Sequence, residues 1–240
     1  MSPVPSEVVK ELAPTGRLRV ALNLGNIVLA QRGPDGKPQG VTVDLATELG
    51  KRLGVPVDFK EFDAAGKVFE TLKTGVIDIL FLAIEPVRAN EIAFTAPYVL
   101  IEGVYMVPKE SGLKSVADVD VAGVRIGVNK GSAYDLFLTR TLKNATLVRG
   151  DDGVALFKQQ KLEAAGGVKQ PMVAYAKTDP AVRLIDGRFM EIRQAMGTPR
   201  GRDAGARYLH AFVEEMKASG FVADALKRSN QPDAAVAPAG

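Results

Sequence analysis

Between Leu18 and Leu82 the chain alternates between short apolar runs and stretches whose apolar residues recur every three or four positions, and this alternation narrows the fold more than any other feature. Leu18-Arg19-Val20-Ala21-Leu22 reads as a strand. After the turn signal Gly33-Pro34-Asp35-Gly36-Lys37-Pro38, Val41, Val43, Leu45, Ala46, Leu49 and Leu53 mark one face of a helix that Gly54 closes. Val55-Pro56-Val57-Asp58-Phe59 is a second strand. Val68, Phe69 and Leu72 mark a second helix, with Gly75 as its C-cap. Ile77-Asp78-Ile79-Leu80-Phe81-Leu82 is the kind of apolar run that a parallel strand needs when both its faces are covered. Strands and helices in this order form an α/β layer structure, and such sheets bind ligands at the carboxyl ends of their strands.

A second round follows. Ser115-Val116-Ala117-Asp118 reads as a helical turn and Val124-Arg125-Ile126-Gly127-Val128 as a strand. The pattern continues with a helix from Ala133 to Leu142, a strand at Thr146-Leu147-Val148 and a helix from Asp151 to Lys161. Two C-terminal helices are expected, at about Ala204–Lys217 and Val222–Lys227. The low-complexity tail from Gln231 to Pro238 is expected to be disordered. Two successive half-size α/β units imply two lobes with a cleft between them.

Composition removes several function classes. The chain has no cysteine and a single histidine, His210. That excludes disulfides and thiol catalysis, and it argues against a zinc site or a Ser–His–Asp triad. His210 falls in an amphipathic helical pattern and reads as a surface residue. The net charge of +3 is mild and favours anionic ligands at long range. Basic residues are scattered without interleaved aromatics, so no nucleic-acid partner is expected. No apolar stretch reaches the roughly 20 residues of a membrane span. Met1-Ser2-Pro3-Val4-Pro5 is not a signal peptide.

Five segments together resemble the polar-amino-acid solute-binding family of ABC transporters, family 3, with the type II periplasmic fold. They are Gly40-Val41-Thr42-Val43-Asp44-Leu45-Ala46; Leu72-Lys73-Thr74-Gly75-Val76-Ile77-Asp78-Ile79; Arg88 followed by Ile92-Ala93-Phe94-Thr95-Ala96-Pro97-Tyr98; Val128-Asn129-Lys130-Gly131-Ser132; and Met216-Lys217-Ala218-Ser219-Gly220-Phe221. The resemblance implies one lobe from residues 1–106 and 193–240 and another from 107–192, joined by two crossing strands. It also implies a monomer that works in the periplasm with an ABC permease as partner, the leader being absent here. No cofactor or metal is implied.

For the site, the resemblance implies that Arg88 grips the ligand carboxylate, a task that suits the bidentate fork of a guanidinium. A surface Arg88 paired with Glu85 or Glu91 is the alternative. Gly131-Ser132-Ala133 leads from a strand into a helix, where free N–H groups and the helix dipole make an anion seat; Ser132 also suits an N-cap. Asn23 and Asn26 lie after the first strand, as ligand contacts or as turn formers. Ala83 is counted among the ligand-binding positions, although Ala83-Ile84-Glu85-Pro86-Val87 lacks the hydroxyls usual in relatives.

One departure bears on the ligand. Relatives that bind amino acids carry an Asp for the ligand ammonium where this chain has Val168, followed by Lys169. The expectation is therefore an organic acid or dicarboxylate, with Lys169 attracting a second anionic group. The chain is expected not to be an enzyme. The alternatives are an enzyme similar to cyclohexadienyl dehydratase and a sensor module on the same fold.

Overall fold

The computed structural model describes residues 3–240; Met1 and Ser2, where the segment read as lacking a leader begins, lie outside them. Two compact units emerge. One runs up to Leu100 and resumes at Arg193–Gly240, and the other is Ile101–Ile192.

The first unit opens with helix α1 (Ser6–Leu12), strand β1 (Leu18–Asn23) and the small pair β2 (Gln31–Arg32) and β3 (Pro38–Gln39). Helix α2 (Val41–Leu53), strand β4 (Val57–Phe62), helix α3 (Ala65–Leu72), strand β5 (Ile79–Ala83) and the one-turn helix α4 (Pro86–Ala89) follow. Strand β6 (Ile92–Pro108) is 17 residues long and carries the chain into the second unit. There the order is a 3-10 turn (Val116–Val119), β7 (Arg125–Asn129), α5 (Ala133–Thr141), β8 (Thr146–Gly150), α6 (Gly153–Gln159), β9 (Ala164–Val168), α7 (Lys169–Thr178) and β10 (Val182–Leu184). Strand β11 (Met190–Pro199) returns to the first unit, which ends with α8 (Asp203–Ala218), α9 (Phe221–Arg228) and β12 (Ala235–Val236).

In the first unit β4, β1 and β5 are parallel neighbours, and β11 runs antiparallel beside β5. In the second, β8, β7 and β9 are parallel, and β9 pairs antiparallel with the end of β6. The pattern dictates where each element lies. Val41, Leu45, Ala46, Leu49 and Leu53 of α2 are all buried, and the left-handed Gly54 ends the helix. Gly40, just before α2, has φ +124°, and an added Cβ would lie 2.5 Å from the Leu29 carbonyl oxygen, so only glycine fits there. Every residue of β5 is buried. His210 is exposed on α8.

The tail departs from expectation. Residues of the stretch expected to be disordered form β12, which pairs antiparallel with Val99 and Leu100 of β6. Ala234 and Ala237 are buried, the Ala237 N–H donates to the Tyr98 carbonyl at 3.1 Å, and Lys217 Nζ donates to the carbonyls of both Pro97 and Pro238. The reason is that β6 presents a backbone edge at that point, and two small residues suffice to pair with it. Deleting residues 232–240 is expected to cost about 2 kcal/mol through these bonds. A urea titration of the shortened chain checks this, together with faster amide exchange at Val99–Leu100.

Candidate functional site

Strand β5 delivers the chain through Ile84 and Glu85 into α4, where Pro86 occupies the first helical position that suits it. Arg88 and Glu85 are each only 1% exposed. Arg88 Nη1 donates to the Ala83 carbonyl at 3.1 Å, turning the guanidinium back over the carboxyl end of β5. Burial pushes the Arg88 pKa down to about 10, and the negative charge of Glu85 works the other way, so the group stays cationic at neutral pH. The reading of Arg88 as a surface residue is thus incorrect. Ala83 contributes its backbone carbonyl to Arg88.

The start of α5 is more committed than the sequence suggests. Ser132 is its N-cap, with Oγ accepting the Asp135 N–H at 3.1 Å, a bond worth about 1 kcal/mol. The buried Asp135 reaches back and accepts the Gly131 N–H at 2.8 Å, and its other oxygen accepts from Arg149 Nε at 2.8 Å. The Gly131 amide therefore serves this turn, contrary to its expected place in the anion seat. The first-turn amides of Ala133 and Tyr134 are the donors that the carbonyls of the helix cannot satisfy. Burial pushes the Tyr134 phenol up to about 12, against the opposing effect of hydrogen bonds with Ser132 and Asn129. Asp135 was legible in principle, because Ser-x-x-Asp is a capping-box spacing.

Asn23 and Asn26 both close turns. The Asn23 Oδ1 accepts the Gly25 N–H at 3.0 Å, and the Asn26 Oδ1 accepts the Val28 N–H at 3.3 Å. Lys169 begins α7, and its half-exposed ammonium lies 2.6 Å from Glu102 Oε2. Glu102 also meets Arg188 Nη1 at 3.3 Å. The hydrogen bond from Lys169 is the main cause holding the Glu102 carboxyl below its usual range. Val168 ends β9 opposite Gly103 and precedes α7 without a side-chain cap. Glu102 was not foreseen, because it lies 67 residues from Lys169 and only the β6–β9 register brings the two together.

Among the described residues no group of three or more His, Cys, Asp or Glu could hold a metal ion, and no helix is long and apolar enough to cross a membrane. Residues 18–229 match the model of the bacterial extracellular solute-binding proteins, family 3. The chain belongs to that family. Among the curated proteins it is similar to the L-cystine-binding protein TcyJ of Escherichia coli strain K12, with 23% identity over 197 residues covering 79% of this chain and 73% of that one. It is also similar to the cyclohexadienyl dehydratase of Pseudomonas aeruginosa, with 27% identity over 155 residues, 60% of this chain and 55% of the other. Its fold is that of a solute receptor for L-cysteine of Neisseria gonorrhoeae, with a TM-score of 0.79 at 23% identity, covering 93% of this chain and 94% of that one. Family and fold agree with the type II periplasmic binding architecture expected from the motifs.

Proposed function

We propose that this family 3 protein captures a small carboxylate-bearing solute in the periplasm, as a monomer, and passes it to an ABC permease without transforming it. The observation that carries this reading is the buried Arg88, a cation held at the carboxyl end of a central parallel strand. A guanidinium in that setting recognises a planar anion through paired hydrogen bonds. Within the second unit, the Ala133 and Tyr134 amides at the start of α5 are free to meet an anion, with Ser132 shaping their turn. In the first unit, Ala83 acts through the carbonyl that holds Arg88, and Asn23 and Asn26 act through the turns after β1. The likeness to proteins named for L-cystine and L-cysteine supports a ligand of amino-acid size. The dicarboxylate expectation loses one of its two supports, because Glu102 already balances the charge of Lys169.

Thermal unfolding with amino acids including cystine, 2-oxo acids and dicarboxylates tests the reading. A ligand present at ~100 times its Kd stabilises by about 2.7 kcal/mol, which raises the Tm by about 5–10 °C for a chain of this size. At least one carboxylate is expected to do this, and its amide derivative is not. Equal shifts with acid and amide would refute the carboxylate role. Loss of prephenate or arogenate on incubation would replace carriage with catalysis.

A further inference from the structure

We infer that Arg200 is a positioning residue for Arg88: it holds the end of α4 from outside the helix and so fixes the backbone that aims the buried guanidinium. This rests on the reading that Arg88 takes the ligand carboxylate. Both arginines belong to the first unit, and Arg200 acts on the ligand only through Arg88.

Helix α4 has only four residues, Pro86–Ala89. A single turn fixes several dihedral angles for very few main-chain bonds, so it does not keep its shape unaided. The carbonyls at its end have no partner within the helix. Arg200 supplies one: Nε donates to the Ala89 carbonyl at 2.8 Å and Nη2 to the same oxygen at 2.6 Å, across 111 positions of sequence. A guanidinium also suits the negative end of a helix. The Arg200 N–H donates to the Glu91 carbonyl at 3.0 Å. All these bonds end on main chain, so what Arg200 fixes is the backbone path on either side of Asn90. The start of the same crossover is held from β11 as well, because the Ile84 N–H donates to the Arg193 carbonyl at 2.9 Å. Residues 84–91 are thus pinned at both ends, with Arg88 between the pins. The sequence around Arg200 explains its place: Pro199 ends β11, and Gly201 has φ +89°, a left-handed turn that takes the chain away at once. A guanidinium grips a carboxylate well only when its fork is already aimed, since a group fixed in its binding orientation loses less freedom when the ligand arrives.

The test uses the full chain with Arg200→Met, which keeps the apolar stem and loses the donors, and Arg200→Lys, which restores the charge. The probe is whichever of the common amino acids, cystine, the 2-oxo acids and the dicarboxylates raises the wild-type Tm most. Isothermal titration is expected to show that probe bound about tenfold more weakly by Arg200→Met and about threefold more weakly by Arg200→Lys, with urea midpoints close to wild type. In an Arg88→Gln background, adding Arg200→Met is expected to change the affinity by less than about twofold, because the two residues act in series. The NMR signal of the Arg88 Nε–H group gives a readout without ligand: Arg200→Met shifts and broadens it, and Arg200→Lys restores it in part. Should Arg200→Met fail to fold, Arg200→Lys decides by the same readouts. Wild-type affinity in Arg200→Met overturns the inference and leaves the carboxylate reading intact. So does an equal loss in the Arg88→Gln background, or an Arg88 signal that Arg200→Met leaves unmoved. A wild-type protein that binds none of the probes overturns the carboxylate reading and the inference with it.

Discussion

Replacing Arg88 with glutamine is expected to weaken binding of the preferred carboxylate by about a hundredfold or more. Truncating one partner of a buried, hydrogen-bonded charge pair costs about 2–5 kcal/mol, and each 1.4 kcal/mol is about a factor of ten in Kd. The expected loss sits within that range because burial already removes competing water from the guanidinium, which is only 1% exposed. Glutamine retains one donor of the side chain but neither the charge nor the fork. Lysine restores the charge as a single point, so Arg88→Lys is expected to recover part of the affinity and stay about tenfold weaker than wild type. Isothermal titration of both variants decides the matter. Wild-type affinity in Arg88→Gln would show that the buried cation serves the fold alone. A parallel urea titration separates lost binding from lost structure, since the substitution also removes the positive charge that accompanies Glu85.

Such an experiment could be designed from sequence for Arg88 but not for its surroundings, and the difference is physical. Elements whose signals are local were legible: α2 from Val41 to Leu53 with its Gly54 stop, the apolar strand β5, and the Ser132 cap of α5 each follow from period, glycine or spacing within a few residues. The short α1 was not, because seven residues with two buried side chains, Val8 and Leu12, give too little periodicity. The pairing of β12 with β6 was hidden for another reason: a Pro- and Ala-rich composition says nothing about a backbone edge more than a hundred residues earlier. At the site the same division holds. Glu85 reads from the sequence as a salt-bridge partner of Arg88, and only the packed structure reveals that it is shielded from water. Lys169 was visible as a charge, yet its neutralising partner Glu102 is assigned by strand register.

The largest stability effect is expected at the opposite end of β5, at Asp78. Its carboxylate is fully buried immediately before the strand and accepts from Arg19 Nε at 2.7 Å, Arg19 Nη2 at 2.8 Å and Arg202 Nη1 at 2.9 Å. Its own N–H donates to the Arg19 carbonyl at 2.8 Å, which joins the amino ends of β1 and β5. Arg202 is the residue before α8, so one acid ties two strands to a helix whose flanking arginine lies 124 positions from it in sequence. Asp78→Ala leaves two largely buried guanidiniums facing each other without an anion, and breaking such a cluster costs about 3–5 kcal/mol. Against the ~5–15 kcal/mol that typically holds a folded protein together, that is a large fraction, and the urea midpoint should fall accordingly. Asp78→Asn keeps the shape and one acceptor, so a smaller loss is expected. A double variant that replaces both Arg19 and Asp78 with apolar residues of similar volume should recover much of the stability lost in Asp78→Ala, because the desolvation cost of Arg19 disappears with it. If instead the double variant is no more stable than Asp78→Ala, the cost lies in the shape of the junction between β1 and β5 and not in its uncompensated charge.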